Sequence, residues 1–336
     1  MGCYIIAEIG VNHSGSVELA KKMIDAAKKT GADAVKFQTF SAEKLVSIGT
    51  PKVRYQESTT DEGESHYQMI KSLEFSFEDH IPVFNYCKEI GIDFISTPYD
   101  VESAEFLVSI GVEIFKTASA DVVDLELQRF LASTGKRVII ATGMATLGEI
   151  EEVYSIYSEQ GASENISLLH CVSNYPCAHE SLNLKGLLTL KNAFGVDVGF
   201  SDHSIDSIGA VVAVALGATI VEKHFTLDKA MEGPDHKASS NPDEFSLLVQ
   251  NIRTTEKTLG VGIKVPQEEE LQMRSVSRKS LFLSNDVSRG NTISSEDLCS
   301  KRPGTGLYNK YRANIEGCTA VKDLKAGSMI SFGDFE

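Results

Sequence analysis

The chain repeats one pattern eight times, a short apolar run followed by a longer amphipathic run. This alternation is typical of βα units built around a parallel sheet. The predicted strands run from Tyr4 to Gly10, Ala34 to Thr39, Asp93 to Pro98, Ile114 to Ser119, Arg137 to Gly143, Ile166 to Ser173, Asp197 to Ser204 and Thr219 to Thr226. Eight such units over roughly 260 residues predict an α/β fold, the (β/α)8 TIM barrel, whose usual length is about 250 residues. An open doubly wound sheet is the alternative, although no GxGxxG motif follows the first predicted strand.

Most of the amphipathic runs end at a glycine, which suits the C-terminus of a helix. The predicted helices include Val17 to Thr30, Phe77 to Ile90, Val101 to Ile110, Leu147 to Gln160, Ile208 to Leu216 and a last barrel helix near Pro242 to Leu259.

The segment from Phe40 to Ser76 interrupts this rhythm. It is long, polar and rich in Ser, Thr and Glu, and it has no clear strand pattern. A loop of this length after a barrel strand is more often functional than accidental. We expect this segment to form either a lid or wall over a substrate, or a solvent-exposed loop without a functional role.

The pattern changes after the last barrel helix, which predicts a second domain. Residues 261–278 contain a glycine and a charged run and are interpreted as a linker, although the charged run also suits a solvated helix. In residues 279–336 short apolar pieces alternate with turns, which predicts a small, mostly β module. The expected domains are therefore a barrel at 1–260, a linker at 261–278 and the module at 279–336. A core this small is marginal alone, so we expect the module to lean on the barrel or on another subunit.

The chain carries 32 basic and 47 acidic residues, a formal net charge of −15. Such a chain repels polyphosphate backbones, so nucleic acid is not expected as a partner, whereas a few buried lysines can still hold a small anion. Its six cysteines are scattered without a CxxC pair, which favours reduced thiols. The N-terminus enters an apolar strand without a basic region or a long apolar segment, so we expect a cytoplasmic protein without a signal peptide or membrane span.

Polar side chains gather at the C-terminal ends of the predicted strands, the face on which barrels place their chemistry. They are Glu8, Asn12, His13, Lys36, Gln38, Thr97, Lys116, Ser119, Asp121, Thr142, His170, Ser173, Tyr175, Ser201, His203, Glu222 and His224. In the second predicted strand Lys36 and Gln38 share one side-chain parity, which directs both into the barrel mouth.

Two histidines end the last two predicted strands. Ser201 and His203 share a parity in one strand, and Glu222 and His224 share a parity in the other. Neighbouring strands lie about 4.8 Å apart, so the two imidazoles can converge on one divalent ion. The alternative is that each histidine only forms hydrogen bonds in a crowded core.

Two lysines at strand ends, Lys36 and Lys116, admit two interpretations. One of them could form a Schiff base with a carbonyl substrate, or both could bind a phosphate and a carboxylate. A Schiff base needs one desolvated lysine and no metal. Two lysines beside hydroxyl groups and a metal favour an anionic substrate, with the metal polarising a carbonyl.

The motifs that carry these residues resemble the sialic acid synthase family. They are AEIGVNHSG at 7–15, VKFQTF at 35–40, STP at 96–98, ATGM at 141–144, LHCVSNYP at 169–176, GFSDH at 199–203, EKHFTLD at 222–228 and GPDH at 233–236. The tail motif KRPGTG at 301–306 resembles the antifreeze-like (SAF) domain of that family. The resemblance covers essentially the whole chain.

The resemblance implies a metal-dependent condensation of phosphoenolpyruvate with an N-acylated hexosamine, N-acetylmannosamine or a bacillosamine-type sugar, to a nine-carbon 2-keto acid. It implies Mn²⁺, with Mg²⁺ or Co²⁺ as alternatives, on His203 and His224, and a domain-swapped homodimer in which Arg302 contacts the sugar over the partner's barrel. The expected phosphoenolpyruvate ligands are Lys36, Thr97, Lys116, Ser119, Ser173 and Ser201. The expected sugar ligands are Gln38, Tyr175, Asp235 and Arg302.

The expected catalytic carboxylate is Glu8, with Asp121 as the second choice, because each is an acid at a strand end that could manage the proton of a water molecule. The run KTASAD at 116–121 departs from the KIGSGE-like run of many family members, and some members have asparagine at the position of Ser173. Both differences touch the substrate pocket, so the product stays open among neuraminate, legionaminate and pseudaminate types. The competing hypotheses are a Schiff-base barrel aldolase and a binding or structural protein built around the antifreeze-like module.

Overall fold

Eight parallel strands close into a barrel in which β8 pairs with β1. The strands are β1 (Tyr4–Gly10), β2 (Ala34–Thr39), β3 (Asp93–Pro98), β4 (Ile114–Thr117), β5 (Arg137–Ala141), β6 (Ile166–Cys171), β7 (Asp197–Asp202) and β8 (Ile220–His224). The TIM barrel predicted from the sequence is therefore confirmed. The computed structural model describes residues 2–57, 59–61 and 63–336, and it divides the chain into one unit that ends at Gly260 and one from Val261 to Glu336.

Helices surround the barrel, and several begin at a side chain that caps the first turn. In α1, Ser16 accepts a hydrogen bond from the backbone N–H of Leu19, and the helix ends at Gly31 with φ 89°. The helices of this unit are α1 (Val17–Thr30), α2 (Ala42–Leu45), α3 (Arg54–Glu57), α4 (His66–Leu73), α5 (Phe77–Ile90), α6 (Val101–Ile110), α7 (Leu125–Ser133), α8 (Leu147–Glu159), α9 (Lys185–Phe194), α10 (Ile208–Ala215) and α11 (Pro242–Leu259).

The strands bury two different apolar layers. Side chains of one parity, such as Val35 and Phe37, join the large core between the barrel and its helices. Side chains of the other parity fill the barrel interior with a separate apolar cluster of Ile6, Ala34, Ile95, Ile139, Leu169 and Ile220. On most of these strands the next side chain that points into the barrel, two residues further along, is polar. The interior cluster is therefore the floor beneath the polar mouth.

Several strands end earlier than predicted. β4 ends at Thr117, so Ser119 begins a short 3-10 turn, Ser119–Val123. β6 ends at Cys171, which leaves Ser173 in the following loop. β5, β7 and β8 also end two residues early. The polar residues beyond these ends leave the hydrogen-bonded ladder, which frees them to turn toward the mouth.

The second unit contains α12 (Glu268–Ser277), an antiparallel pair of β9 (Ser280–Leu283) and β10 (Leu298–Lys301), and α13 (Arg312–Ile315). The charged run is thus a helix, and none of its residues is buried within the described chain. A small core holds this unit together: Leu281, Leu283, Val287, Ile293, Leu298, Ile315, Ala320, Leu324 and Ile330. All six cysteines lie in the described ranges and are free. No helix in those ranges is both long and apolar enough to cross a bilayer.

Candidate active site

A cavity of about 690 Å³ opens where the barrel strands end. Twelve of the fourteen predicted site residues line it: Glu8, Lys36, Gln38, Thr97, Lys116, Ser119, Ser173, Tyr175, Ser201, His203, His224 and Asp235. The fold therefore brings residues from all parts of the barrel sequence to one place.

Asp121 and Arg302 are the two predicted site residues that are not part of this lining. Asp121 follows Ser119 and Ala120 in the 3-10 turn, and these two residues do line the cavity. The Oδ2 atom of Asp121 is buried without a hydrogen-bond partner in the described part of the chain, and burial raises its pKa to about 7. Glu8, the carboxylate that we expect to be catalytic, thus lines the cavity, whereas Asp121, the second candidate, lies beside it. Arg302 lies in the second unit, directly after β10, and is exposed.

Glu8 and Lys36 form a buried ion pair at the base of the cavity, with 2.6 Å between Oε2 and Nζ. They are partners in the register of β1 and β2, which explains why their side chains meet. Lys36 also donates a hydrogen bond to Thr97 Oγ1, and Gln38 donates one to Glu8 Oε1. Burial, with the charge of Glu222, raises the pKa of Glu8 to about 7 although Lys36 opposes this shift. Glu8 can therefore both accept and release a proton near neutral pH.

Glu222 is one of the polar residues at the predicted strand ends, but the sequence alone assigns it no role. Its Oε1 lies 3.9 Å from the ammonium groups of both Lys36 and Lys116 and accepts a hydrogen bond from Ser201. Burial raises the pKa of Glu222, but the two lysines outweigh burial and lower it, so this carboxylate stays charged. Glu222 shares its side-chain parity with His224, and this pattern in the sequence indicates that both side chains point into the barrel mouth.

The second lysine has fewer partners than the first. Lys116 donates a hydrogen bond to the carbonyl of its neighbour Thr117, at 2.9 Å, and has Glu222 only at 3.9 Å. Burial lowers the pKa of Lys116, and the charge of Lys36 adds to this effect while Glu222 opposes it. An anionic ligand beside Lys116 would offset the cost of burying its charge.

Ser119 and Ser173 converge on Gly143 from two different loops. The backbone N–H of Gly143 donates to Ser119 Oγ at 3.0 Å. A Cβ at this position would overlap the hydroxyl groups of both serines. Glycine is therefore required here because the two hydroxyl groups approach the backbone closely, and the result is a small cradle of donors beside the lysines.

The two histidines face each other across the cavity, with 5.7 Å between their ring centroids. His203 Nδ1 lies 2.8 Å from the carbonyl of Val172, an arrangement that leaves Nε2 as an acceptor when the ring is neutral. His224 Nδ1 is buried without a hydrogen-bond partner in the described residues. Burial, together with His203, lowers the pKa of His224 well below its usual value, so its imidazole is neutral.

These two imidazoles fit a metal ion. Two imidazoles bonded to one first-row metal at roughly 2.1 Å have about the observed separation. Burial lowers the pKa of His203, but Cys171 and the Val172 carbonyl raise it overall, and a bound cation would favour the neutral ring. Among the described residues no cluster of three or more His, Cys, Asp or Glu side chains is arranged for a metal. A metal here would therefore depend on substrate or water for its remaining ligands.

Two of the predicted sugar ligands, Tyr175 and Asp235, lie beside these histidines. The ring of Tyr175 lies 4.1 Å from that of His203 and 5.6 Å from that of His224, centroid to centroid. Asp235 Oδ2 lies 3.9 Å from His224 Nδ1, and burial raises the pKa of Asp235 to about 6. The hydroxyl of Tyr99 donates a weak hydrogen bond, at 3.4 Å, to Gln38 Oε1. A polar ligand beside the histidines would meet Tyr175 and Asp235.

The segment 40–76 forms an apolar wall on the same cavity. Phe40, Met69 and Leu73 are buried and pack with Val11 in a cluster of their own. Leu45, Val53, Gln56 and Ile70 of this segment also line the cavity. Thr59 donates a hydrogen bond to the carbonyl of Pro234, which ties the segment to the loop that carries Asp235. One side of the cavity is therefore charged and the other is largely apolar.

Comparisons with known proteins match both units. The NeuB family pattern matches residues 23–264, and the SAF domain pattern matches residues 278–336. The N,N'-diacetyllegionaminic acid synthase of Legionella pneumophila is 42% identical over 100% of this chain and 95% of its own length. The enzyme of the same description from Campylobacter jejuni is 42% identical over 97% of this chain and 98% of its own.

A solved structure agrees with these relatives. The N-acetylneuraminic acid (sialic acid) synthetase of Leptospira borgpetersenii, in complex with citrate, superposes with a TM-score of 0.73 and 35% identity. The match covers 81% of this chain and 90% of that one. The sequence relatives are thus described as legionaminic acid synthases, and the structural neighbour as a sialic acid synthetase.

Proposed function

The chain belongs to the NeuB family of transferase-type, phosphoenolpyruvate-dependent synthases, and from that premise we propose that it condenses phosphoenolpyruvate with an N-acylated hexosamine. The products are a nine-carbon, sialic-acid-like 2-keto acid and inorganic phosphate. The observation that carries this proposal is the joint arrangement of Lys36, Lys116 and a hydroxyl cradle with two facing histidines in one cavity. An anionic co-substrate and a carbonyl substrate have separate partners in that arrangement.

In the proposed reaction the lysines hold phosphoenolpyruvate. Lys36 and Lys116 bind its phosphate and carboxylate, with Thr97, Ser119, Ser173 and Ser201 as hydroxyl partners. The enol carbon then forms a bond to the aldehyde carbon of the open-chain sugar. The electron pair of the enol double bond makes this new carbon–carbon bond and leaves a cation at C2, to which water adds. The π electrons of the aldehyde move onto its oxygen, which takes up a proton and becomes a hydroxyl group.

Glu8 takes the proton of that water in this mechanism. Its raised pKa makes the carboxyl a competent acceptor near pH 7, and its place beside Lys36 puts it next to the anion. The bond between C2 and the bridging oxygen then breaks, and phosphate leaves with its electron pair while the C2 hydroxyl loses its proton and becomes the keto group. A divalent ion, Mn²⁺ in our proposal with Mg²⁺ or Co²⁺ as alternatives, would be held by His203 and His224 and would supply Lewis acidity toward the aldehyde oxygen.

We propose further that the sugar carries two N-acyl groups. The names of both legionaminic acid synthases specify a doubly acetylated product. The wall of Phe40, Met69 and Leu73 supports the same class, since burying an unpaired hydroxyl against it would cost free energy while an acyl methyl group would not.

Arg302 and the second unit complete the proposal. We propose that the chain forms a domain-swapped homodimer in which Arg302 of one subunit contacts the sugar held by the other barrel. The supports are the SAF match at residues 278–336 and the KRPGTG turn, in which a proline and glycines fix the backbone around Arg302.

A direct assay tests the reaction. The purified chain is incubated with phosphoenolpyruvate, Mn²⁺ and either N-acetylmannosamine or a 2,4-diacetamido hexose, and released phosphate is measured. Phosphoenolpyruvate labelled with ¹⁸O at the bridging position should deliver the label to phosphate, because the C–O bond breaks. Absence of phosphate release with every amino sugar, or unlabelled phosphate, would overturn the proposal.

The lowered pKa of Lys116 favours one second candidate, a Schiff-base aldolase acting on a keto sugar acid. Such an enzyme would be trapped by borohydride in the presence of its substrate and would keep full activity with a chelator. Chelator-sensitive turnover without borohydride trapping excludes it.

A further inference from the structure

A buried ion pair lies directly behind the two histidines, and none of the roles above uses it. Lys223 Nζ lies 2.9 Å from Asp202 Oδ2, and the exposed fractions of these side chains are 3% and 0%. Asp202 and Lys223 are register partners in β7 and β8. Neither is among the residues that line the cavity.

Each member of the pair precedes one of the histidines in the chain. Because successive side chains of a strand point to opposite faces, Asp202 and Lys223 point away from the cavity while His203 and His224 point into it. One step earlier on the same outward face, the register partners are Phe200 and Val221, both apolar. On the outward face of these two strands, the apolar pair Phe200 and Val221 is therefore followed by the charged pair Asp202 and Lys223, next to the histidines.

The pair also fixes the turn that carries His203. Asp202 Oδ1 accepts hydrogen bonds from the backbone N–H and from the hydroxyl of Ser204, at 2.8 and 2.7 Å. Lys223 donates a second hydrogen bond to the carbonyl of Ser204, at 2.5 Å. Lys223, which precedes His224, is thus bonded to both neighbours of His203, the Asp202 carboxylate and the Ser204 carbonyl.

We propose that Asp202 and Lys223 are positioning residues for the divalent ion, because they hold the His203-bearing turn at a fixed distance from the His224-bearing strand. This inference rests on the proposed metal site. A buried ion pair is a poor source of stability, since the desolvation of two charges offsets most of their attraction. Its directional bonds to one turn instead restrict the separation of the two imidazoles, which a two-histidine site with few other protein ligands needs.

The test measures Mn²⁺ binding by electron paramagnetic resonance of the free ion, without substrate or turnover. Asp202→Asn keeps an acceptor for Ser204 but removes the charge, and Lys223→Met keeps the length of the side chain without its charge. Each should weaken Mn²⁺ binding by at least about 10-fold, the lower end of the usual effect of residues that orient metal ligands. Phosphoenolpyruvate affinity, measured by calorimetry without metal, should change by less than about 3-fold.

Two further variants separate positioning from general stability. Lys223→Arg keeps donors for Asp202 and Ser204 and should restore most of the Mn²⁺ affinity. The control is Arg253→Met, which removes another ion pair of the barrel, 3.0 Å from Arg253 to Asp33 Oδ2. It should lower the melting temperature without changing Mn²⁺ affinity.

Each outcome is decisive. Folded Asp202→Asn protein that binds Mn²⁺ like the wild type would overturn the inference, and so would equal losses of Mn²⁺ and phosphoenolpyruvate affinity. If Lys223→Met does not fold, the near-isosteric Asp202→Asn protein and Lys223→Arg decide the question. Wild-type protein that turns over without binding Mn²⁺, Mg²⁺ or Co²⁺ would instead refute the metal site itself, and the inference with it, while leaving the proposed condensation in place.

Discussion

Glu8 Oε2 and Lys36 Nζ lie 2.6 Å apart in a part of the cavity from which solvent is almost excluded. The ion pair joins the predicted proton acceptor to a predicted ligand of the anion. An anionic substrate must therefore compete with Glu8 for Lys36. In our proposal, a substrate that binds Lys36 removes the stabilising cation from Glu8 and makes this carboxylate a better proton acceptor.

The pH dependence of the reaction should follow the ionisation of Glu8. Burial raises the pKa of Glu8 to about 7, so kcat/KM should fall as the pH decreases below about 7. Glu8→Gln should lower kcat by roughly 10²–10⁴-fold and remove that limb from the residual profile. Phosphate release measured between pH 5.5 and 9 checks this. An unchanged acid limb in Glu8→Gln would assign the ionisation to another group.

The same ionisation should affect stability, with a defined sign. The pKa of Glu8 is above its ordinary value of 4.5 in the folded state, so folding binds an additional proton between about pH 4.5 and 7. The contribution of Glu8 to stability is therefore present below about pH 4.5 and is lost as the pH rises through 7. Glu8→Gln should show a smaller decrease in melting temperature over this interval than the wild type. Parallel curves for the two proteins would contradict the shift.

Replacement of either His203 or His224 with alanine should abolish phosphate release and Mn²⁺ binding. The reason is that each imidazole would supply one of the few protein ligands of the ion. His179→Ala is the matched control, because His179 is half-exposed and pairs with Asp206 outside the cavity. Full activity of His203→Ala at low added Mn²⁺ would remove His203 from the metal site.

Lys36→Ala and Lys116→Ala should each raise the KM for phosphoenolpyruvate steeply. A hydrogen bond to a charged group is worth roughly 1.5–3 kcal/mol, which corresponds to about 10- to 150-fold. Lys136→Ala, which removes a lysine paired with Glu113 away from the cavity, serves as the control. If the KM for phosphoenolpyruvate stays the same in both cavity variants, neither lysine binds the anion.

A polar substitution in the wall should change the choice of sugar. Met69→Gln places an amide where the cavity has a buried apolar side chain, so it should lower kcat/KM for the doubly acylated sugar by roughly 10- to 100-fold. The KM for phosphoenolpyruvate should not change. Steady-state kinetics with mono- and diacylated hexosamines check this, and equal losses for both sugars would argue against a specificity role.

Mixing two inactive proteins tests the swapped dimer. Arg302→Ala has an intact barrel, and His203→Ala has an intact Arg302, so subunit exchange should restore part of the activity. Removal of residues 279–336 should leave metal and phosphoenolpyruvate binding but little turnover. If exchange is demonstrated by mass spectrometry and no activity returns, Arg302 does not act on the partner's barrel.

Alternation of side chains explains how much of the site could be predicted. Lys36 and Gln38 share a parity, and so do Glu222 and His224, and the barrel directs all four into one cavity. Parity is a local property of a strand, so it can be read without tertiary information. The closed barrel can then be predicted from the number of βα units alone.

Residues beyond the strand ends were less predictable. Asp121 is placed beside the cavity because a 3-10 turn starts at Ser119 and rotates the chain, and KTASAD contains no glycine or proline that would mark this turn clearly. The eight predicted βα units imply the helices α7 and α9, but the sequence analysis gives no bounds for them. The central position of Glu222 depends on distances to two lysines from other strands, which only the register of the closed sheet defines.

The apolar floor formed by Ile6, Ala34, Ile95, Ile139, Leu169 and Ile220 has a kinetic consequence. Among the described residues this cluster fills the barrel beneath the cavity, so in our proposal reactants and products pass through the opening at the strand ends. Lys36 and Lys116 are buried on β2 and β4, whereas Tyr175 lies in the loop after β6 and is only partly buried. Under the proposed roles, phosphoenolpyruvate cannot pass a bound sugar, so binding follows a compulsory order with phosphoenolpyruvate first, and the nine-carbon acid must depart before phosphate can escape.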